Sequence, residues 1–291
     1  MNLNDLLMKE RIDPKGVLVF RHRPHEPELR KVLPWFAAQR PNVFNAYQQT
    51  QGARAERAMT RASHVASFIG HEAGKAVFIG LYSVGASRPL TPRQFWQVPA
   101  HREMKQFGMR GFTGRDGRSS ILRFELALTP FYAEWKGKLI VDWPPPERAW
   151  FRRAHRNTIT VAAVLQDSLL DGPMPKWDRM VVSWEELAVL PVRWRSALNE
   201  WRGIYHIFDT AIRKGYVGAA YGEHNLLGRW RNYAASGHGG NRLLRERDPR
   251  RFRFSILELV SPAMQPCEVI EREVCWKERL HTRAPDGLNE N

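Results

Sequence analysis

Four polar side chains in the last third of the chain are of types that could hydrolyse a phosphate ester. The sequence has Gly-Ile-Tyr at 203–205 and, ten residues later, Tyr-Val-Gly at 216–218, followed by Arg229 and Glu273. A phenol can give or receive a proton, a guanidinium binds phosphate oxygens with a planar fork of donors, and a carboxylate can hold Mg²⁺. Together such groups can activate water, balance the charge of a phosphate and stabilise a leaving oxygen.

An alternation of strands and helices is predicted to position these groups. Tyr205 and Tyr216 fall in neighbouring strands, so both hydroxyls can reach one face of a sheet. Gly203 and Gly218 flank the tyrosines at positions where a side chain would obstruct a neighbouring strand or a substrate. The pattern predicts strands at 204–208, around 217 and at 252–259, helices at 227–235 and 268–281, and turns at 213–215 and 237–240.

Six short motifs between residues 203 and 289 share an order and spacing with a known nuclease family. They are the tripeptides at 203–205 and 216–218, Leu227-Gly228-Arg229-Trp230, Phe254-Ser255-Ile256-Leu257-Glu258, Ile270-Glu271-Arg272-Glu273 with Trp276-Lys277, and Asp286-Gly287-Leu288-Asn289. The set resembles the GIY-YIG nucleases and covers essentially all of 201–291. The run from Tyr216 to Gly222 also reproduces the Tyr-x-Gly-x-Ala-Tyr-Gly of bacterial members. The resemblance implies a small three-stranded antiparallel sheet flanked by helices.

The resemblance also implies roles for individual residues. Tyr205, Tyr216, Arg229 and Glu273 would be catalytic, with Glu273 the ligand of Mg²⁺ or Mn²⁺ and Arg229 the clamp on a phosphate oxygen. In the family the first tyrosine is often assigned as the group that receives the proton of the attacking water. The competing interpretation of Glu273 is an ion pair with the residue four positions on, worth about 0.3–0.5 kcal/mol on a helix surface. Glu271, two residues away, should project from a different face.

Several further residues are predicted to support this site. Tyr233 and His238 are candidates for receiving the proton beyond Tyr205, although many relatives carry His where Tyr233 aligns. Asn289 could hold the terminal segment against the site, in either a structural or a chemical role. Arg231, two residues beyond Arg229 on the predicted helix, should face elsewhere and meet the DNA backbone or solvent.

The first part of the chain is predicted to be a separate domain that recognises DNA. Of the net charge of +15, residues 1–192 carry +10, which indicates a polyanionic partner. The Gly/Pro cluster at 171–175 marks a boundary, so we predict a β-rich basic domain at 1–175, a connecting segment at 176–200 and the nuclease domain at 201–291. Strands at 17–20, 76–82, 121–126, 139–143 and 158–161, with a helix at 28–39 kinked or split at Pro34, would form a mostly antiparallel sheet or barrel.

Basic residues interleaved with aromatic ones are the expected contacts with nucleic acid. Lys136, Arg152 and Arg153 lie in such clusters, which suit phosphate contacts combined with stacking on an unpaired or flipped base. The alternative is that half or more of these aromatic residues fill a core, as we expect for Phe131 and Trp143. No zinc-binding spacing and no helix-turn-helix pattern stands out.

Composition narrows the class of protein further. The chain has 291 residues, no apolar run near the ~18 residues of a membrane span, and no secretory signal pattern at its start. Its two cysteines, which we interpret as core residues, fit a reducing compartment. We therefore expect a cytoplasmic protein with DNA as its partner and no contact with a membrane.

The sequence as a whole predicts an α+β protein that is a metal-dependent DNA endonuclease. A restriction-type or modification-sensing enzyme, with the target chosen by the first domain, is the first interpretation, and a homodimer would allow both strands to be cut. A structure-specific repair or recombination nuclease is the second. A homing-type enzyme fits less well because the nuclease domain there usually precedes the DNA-binding tail. An inactive DNA-binding protein is the alternative outside the enzymes.

Overall fold

The computed structural model describes residues 1–115, 117–222 and 225–290. The chain forms two compact units, Met1–Gly172 (unit 1) and Pro173–Asn291 (unit 2). The change of unit falls inside the Gly/Pro cluster, where Gly172 has a φ of +66°, a conformation that favours glycine. Both units contain helices and strands, so the predicted α+β class is confirmed.

Unit 1 is built on a seven-stranded sheet with helices in its connections. The sheet order is β6-β1-β2-β3-β5-β7, with β4 paired to β3. The strands are β1 (Val17–His22), β2 (His64–Gly70), β3 (Lys75–Leu90), β4 (Ile121–Leu128), β5 (Leu139–Asp142), β6 (Phe151–Arg153) and β7 (Val161–Val164). The helices are α1 (Leu3–Lys9), α2 (Pro27–Gln39), α3 (Pro41–Gln48), α4 (Ala53–Met59), α5 (Pro92–Gln97) and α6 (Pro99–Lys105).

The sheet is mostly antiparallel, as predicted, and the pair that differs is β1 with β2, which run parallel. Parallel neighbours need a long crossover, and α2, α3 and α4 supply it. The remaining pairs are antiparallel. The 16-residue β3 pairs with β2 and β5 through its first part and with β4 from Tyr82 onward, with a register shift between Val84 and Ser87.

The helix predicted at 28–39 is confirmed as α2, and it is not split, although Pro34 lies inside it. Its apolar face is buried in the core. The last strand lies at 161–164 rather than at the predicted 158–161. The strand at 64–70 was not predicted, although Gly70 and Gly74 mark a turn after its apolar run. Phe131 and Trp143 are buried in the core of unit 1, as expected.

Unit 2 is an antiparallel sheet of four strands in the order β10-β9-β11-β8. Its strands are β8 (Val181–Ser183), β9 (Arg202–Asp209), β10 (Lys214–Ala220) and β11 (Phe252–Val260). Its helices are α7 (Trp184–Leu187), α8 (Val192–Glu200), α9 (Asn225–Ser236), α10 (Arg242–Arg245) and α11 (Pro266–Arg279). The sheet has one strand more than the three that the resemblance implies.

The extra strand comes from the segment 176–200, which was predicted to be a connection outside the nuclease domain. Val182 of β8 pairs with Phe254 of β11, so this segment extends the sheet of unit 2. Ser183 caps α7 and forms a capping box with Glu186, as its sequence indicates. Apolar burial explains the difference, because Val182 is 1% exposed and a mobile connection would leave it in water.

Two expectations from composition can be compared with this fold. Within the described residues, no helix has the length and apolar character that crossing a bilayer requires. The two cysteines, Cys267 and Cys275, are exposed on α11. The interpretation of them as core residues was therefore wrong: the helix turns Val269 toward the sheet and leaves the cysteines on its outer side.

Candidate functional site

Three tyrosines of unit 2 lie together on one face of the sheet. The hairpin register pairs Tyr205 of β9 with Gly218 of β10, which puts Tyr216 diagonally across from Tyr205 on the same face. Tyr233 of α9 completes the cluster, and ring centroids are 6.5 Å apart for Tyr205 and Tyr216 and 6.1 Å apart for each of the other two pairs. The hydroxyls of Tyr205 and Tyr233 are 3.2 Å apart and share a hydrogen bond.

Glycine at 218 is what makes room for the Tyr205 phenol. A Cβ at this position would lie 2.5 Å from Cζ of Tyr205, well inside van der Waals contact. Gly203 has a different neighbour, because a Cβ there would meet the carbonyl of Glu258 across the bulge in β11. Gly218 therefore shapes the tyrosine cluster, and Gly203 allows β9 and β11 to approach each other.

Arg229 lies one helical turn before Tyr233, so both side chains point from α9 toward the tyrosine face. It is half-buried, and its guanidinium lies beside the Tyr205 hydroxyl. Its Nε is buried without a hydrogen-bond partner. A buried donor left unpaired costs about 1–3 kcal/mol, so this arginine keeps bonding capacity that the fold itself does not use.

Burial sets the protonation state of this cluster. Desolvation raises the pKa of Tyr205 above its usual value, Tyr216 raises it further, and Arg229 opposes the shift. The pKa of Tyr233 is also raised, chiefly by burial and then by Tyr205. The neighbouring Tyr205 raises the pKa of Arg229, against the effect of burial. At neutral pH Tyr205 and Tyr233 are therefore neutral phenols beside a charged guanidinium.

Helix α11, which carries Glu273, packs on the other face of the sheet. Its Val269 joins a core cluster with Ile204 and Val217. Because consecutive strand residues face opposite sides, Ile204 and Tyr205 look to opposite faces. The structure thus brings Tyr205, Tyr216, Tyr233 and Arg229 together, and within the described residues Glu273 makes its ion pair with Lys277 rather than a contact with these four. Convergence of all four predicted catalytic residues stays a prediction.

The surroundings of Glu273 distinguish it from Glu271. Glu273 is half-buried and its Oε1 pairs with Nζ of Lys277 at 2.9 Å, whereas Glu271 is exposed. Lys277 is itself 6% exposed. The ion pair that was the competing interpretation of Glu273 therefore exists, in a setting more buried than an ordinary helix surface.

The donor set limits which metal ion could bind here. Within the described residues, no group of three or more His, Cys, Asp or Glu side chains could hold an ion by itself. A single carboxylate nevertheless fits Mg²⁺, which keeps several water ligands and takes others from a substrate phosphate. The residues present thus fit a cation that is shared with the substrate rather than enclosed by the protein.

The turn after α9 covers the tyrosine cluster. Gly239 has a φ of +56°, and a Cβ there would lie 2.7 Å from the Tyr233 ring. Nδ1 of His238 accepts a hydrogen bond of 3.0 Å from the Gly240 amide, which holds the turn. Arg231 is exposed on the outer side of α9, as expected.

Asn289 fastens the terminal segment to the edge of the sheet. Its Oδ1 accepts from the Val217 amide at 2.9 Å, and its Nδ2 donates to the Val217 carbonyl at 2.8 Å. Both amide atoms are thus bound to the strand next to Tyr216. Of the two roles that the sequence left open for Asn289, these bonds describe the structural one.

Unit 1 contains a concentration of arginines, which we call the arginine cleft. It has a volume of about 630 Å³, and among the described residues no carboxylate lines it. The Arg54 guanidinium lies 5.5 Å from the centroid of the Phe151 ring. Its basic residues are Arg54, Arg57, Arg61, Arg152, Arg153 and Arg156.

The three predicted nucleic-acid contacts of unit 1 have different environments. Arg153 lines the cleft and is half-buried. Arg152 also lines it, but its guanidinium donates to Oδ1 of Asn157 at 2.8 Å and to the Pro144 carbonyl at 2.6 Å, so much of its capacity serves the fold. Lys136 is outside the cleft and half-buried, and burial lowers its pKa.

Most of the arginine cleft was missed from the sequence, although a signal was present. Arg54, Arg57 and Arg61 follow helical spacing, which puts three cations on one side of α4 and the turn after it. Sequence reasoning found only the part supplied by β6, because there the arginines are adjacent to aromatic residues.

Comparison with known proteins gives one partial match. No protein-family model matches the chain, and no curated protein resembles it significantly. Among solved structures, it is similar to the catalytic domain of the homing endonuclease I-TevI, with 29% identity and a TM-score of 0.26. The similarity covers 31% of this chain and 98% of that domain, so most of the protein has no counterpart in it.

Proposed function

We propose that this chain is a metal-dependent endonuclease that hydrolyses DNA phosphodiester bonds at the tyrosine face of unit 2. The observation that carries the proposal is the half-buried Arg229, which lies beside three tyrosines and keeps a buried donor without a partner. A phosphate oxygen is an acceptor that suits such a donor, because a guanidinium forms charge-assisted bonds with phosphate.

In this proposal Arg229 binds a non-bridging oxygen and stabilises the charge that develops on the phosphorus in the transition state. Tyr205 begins as a neutral phenol, since burial raises its pKa, and it donates a hydrogen bond to the attacking water or to the phosphate. To receive a proton from the water, Tyr205 must first lose its own, which requires the pKa of Tyr205 to fall. Arg229 lowers that pKa.

Tyr216 orients the same water or phosphate from the neighbouring strand, and Tyr233 fixes the Tyr205 hydroxyl through their hydrogen bond. A divalent cation, Mg²⁺ or Mn²⁺, would supply Lewis-acid and template chemistry to the leaving oxygen. Glu273 is the residue we propose to hold it, with the substrate phosphate and water as the other ligands.

Unit 1 supplies affinity and the choice of target in this proposal. Its sequence contains 26 basic and 15 acidic residues, against 19 and 15 in unit 2. The six arginines of the cleft line one surface, and a phosphate backbone fits such a surface. We favour a restriction-type or modification-sensing enzyme, with a homodimer if both strands are cut.

The test is the nicking of supercoiled plasmid by the full chain in Mg²⁺, in Mn²⁺ and in EDTA. Glu273→Ala should lose the metal-dependent nicking, whereas Glu271→Ala, on the same helix but exposed, should retain it. Equal activity of both variants would show that Glu273 has no role in catalysis. Nicking that persists in EDTA would show that the reaction does not need a metal ion.

An inactive DNA-binding protein is the second candidate, and the pairing of Glu273 with Lys277 favours it. In that case Lys277 occupies the carboxylate permanently and no cation binds. The same assay distinguishes the two, because this protein would retard DNA on a gel and leave it uncut in every metal. A structure-specific repair nuclease would instead cut flaps or forks and spare intact duplex.

A further inference from the structure

A second feature of unit 1 is a cavity of about 810 Å³ at the end of β1. It forms where the chain leaves the sheet at Arg21 and His22 and enters α2. Residues of α3 and of the segment 147–150 supply other parts of its wall. Its size is near the upper end of the range for small-molecule sites, roughly 300–1,000 Å³.

Planar rings and a buried guanidinium make up the wall. Trp150 is 36% exposed, a high fraction for a large aromatic residue, and Tyr47 also lines the cavity. Arg21 is 2% exposed, yet its contacts to the Glu147 and Glu72 carbonyls are long, at 3.3 and 3.4 Å, and its Nε has no partner. A buried guanidinium with such weak bonds has donors to offer a ligand.

The acidic residues of the lining do not cancel this positive character. Glu147 pairs with Arg21 at 3.5 Å, and Glu26 pairs with Arg110 at 3.8 Å. Arg23 and Arg148, both exposed, add further positive charge at the rim. His22 stays uncharged at neutral pH, because burial lowers its pKa to about 4. The cavity therefore suits a flat ligand with acceptor atoms and an anionic group at the rim.

The cavity and the arginine cleft share one segment of chain. Arg148 and Trp150 line the cavity, whereas Ala149 and Phe151 line the cleft. Adjacent residues of this segment thus form a wall that the cavity and the cleft share. A base in the cavity and its neighbouring phosphates in the cleft would thus be one continuous ligand.

We propose that this cavity binds a nucleobase extruded from a DNA duplex whose backbone lies in the arginine cleft. The base stacks on Trp150, and guanidinium groups of the wall and rim hold its acceptor atoms and phosphate. The inference rests on DNA being the substrate, as proposed above. The volume exceeds that of one base, so a base carrying a substituent also fits.

Binding of fluorescein-labelled duplexes to the full chain in EDTA tests this, with anisotropy as the readout. One duplex is fully paired, one has a single mismatch, and one has two abasic sites facing each other. A mismatched base leaves the stack more easily than a paired one. The mismatched duplex should therefore bind about tenfold more tightly than the paired one. The doubly abasic duplex is flexible but has no base at the site, so it should bind no more tightly than the paired duplex.

Trp150→Ala and Arg148→Ala should each reduce the preference for the mismatch to about twofold or less. Arg102→Ala, an exposed arginine of unit 1 outside the cavity and the cleft, should leave it intact. Circular dichroism and the affinity for paired duplex show whether the variants fold. If Trp150→Ala is unfolded, two other variants test the inference. Arg148→Ala should lose most of the preference for the mismatch, and Trp150→Phe, which keeps an aromatic ring, should retain most of it.

Three results would overturn the inference. One is a preference that survives in Arg148→Ala and Trp150→Ala. Another is equal affinity for the mismatched and the doubly abasic duplexes, which would mean that the protein recognises flexible DNA rather than an extruded base. The third is competition by the four deoxynucleoside monophosphates without any mismatch preference, which makes a free nucleotide the ligand. Failure of plasmid nicking with the preference intact would sink the nuclease proposal alone.

Discussion

Arginine serves two different purposes in the two units. In unit 2, Arg229 is half-buried against three phenols, and its neighbour Tyr205 raises its pKa. In unit 1, the exposed Arg54, Arg57 and Arg61 of the cleft share a surface that carboxylates do not line among the described residues. A single half-buried arginine held beside phenols can direct chemistry at one bond, whereas many exposed arginines bind a backbone without selecting an atom.

The difference separates catalysis from affinity within one chain. A change at Arg229 should act on turnover, and a change in the cleft should act on binding.

The largest effect is expected for Arg229→Ala. Loss of the phosphate ligand should lower the single-turnover rate of plasmid nicking by about 10²–10³-fold. The affinity for DNA, measured in EDTA, should change less than about twofold. Arg231→Ala is the matched control on the exposed side of α9 and should keep its rate. A fall in affinity as large as the fall in rate would break the separation.

Gly218→Ala tests whether the position of the Tyr205 phenol matters. The new Cβ meets the phenol ring, and overpacking of this kind destabilises by about 1–3 kcal/mol. We expect a lower thermal midpoint together with a rate reduced by roughly 10–100-fold, because the hydroxyl is displaced. Gly222→Ala is the control, since no atom of the described residues lies within 4 Å of the Cβ that it would add. Unchanged nicking by Gly218→Ala would show that the phenol position is unimportant.

In the cleft, Arg54→Ala combined with Arg57→Ala should weaken binding of DNA roughly tenfold and leave the rate at saturating DNA unchanged. Two lost phosphate contacts should make the slope of log K against log salt shallower by about 1.8. The control pair is Arg93→Ala with Arg102→Ala, exposed residues outside the cleft. A slope equal to that of the wild type would mean that the cleft does not neutralise phosphates.

The smallest effect concerns the acid sensitivity of unit 1. The pKa of His22 falls from 6.5 to about 4 on folding because the ring is buried. The unfolded chain therefore takes up the proton first, and stability is lost as the pH falls from 6.5 toward 4. By pH 5 the loss is about 1–2 kcal/mol, or a few degrees in thermal midpoint.

His22→Phe should reduce this dependence between pH 7 and 5, as measured by calorimetry, since phenylalanine does not titrate and can keep the edge contacts with Phe44 and Tyr47. His25→Phe, at an exposed position, should behave as the wild type. A dependence that is identical in both variants would mean that His22 has no part in it.

The sequence predicts more of the candidate site in unit 2 than in unit 1. In unit 2 the motifs are local: the sequence places Tyr205 and Tyr216 in neighbouring strands that can share a face, and the register of the hairpin decides that they do. The spacing of Arg229 and Tyr233 on one helix is equally local. In unit 1 the cavity draws on β1, α2, α3 and two loops, and no local pattern connects Arg21 with Trp150. The parallel pairing of β1 and β2 had no local signal either.

The sequence by itself determined the main strands and helices of residues 201–291 and the basic character of the first part of the chain, because helical and strand periodicity and net charge are properties of neighbouring residues. The tertiary structure alone decided that β8 joins the sheet of unit 2, that α11 packs through Val269 against Ile204 and Val217, and that arginines from α4 and β6 meet in a cleft. Those outcomes depend on which apolar surfaces are buried together, and such surfaces are contributed by segments far apart in the chain.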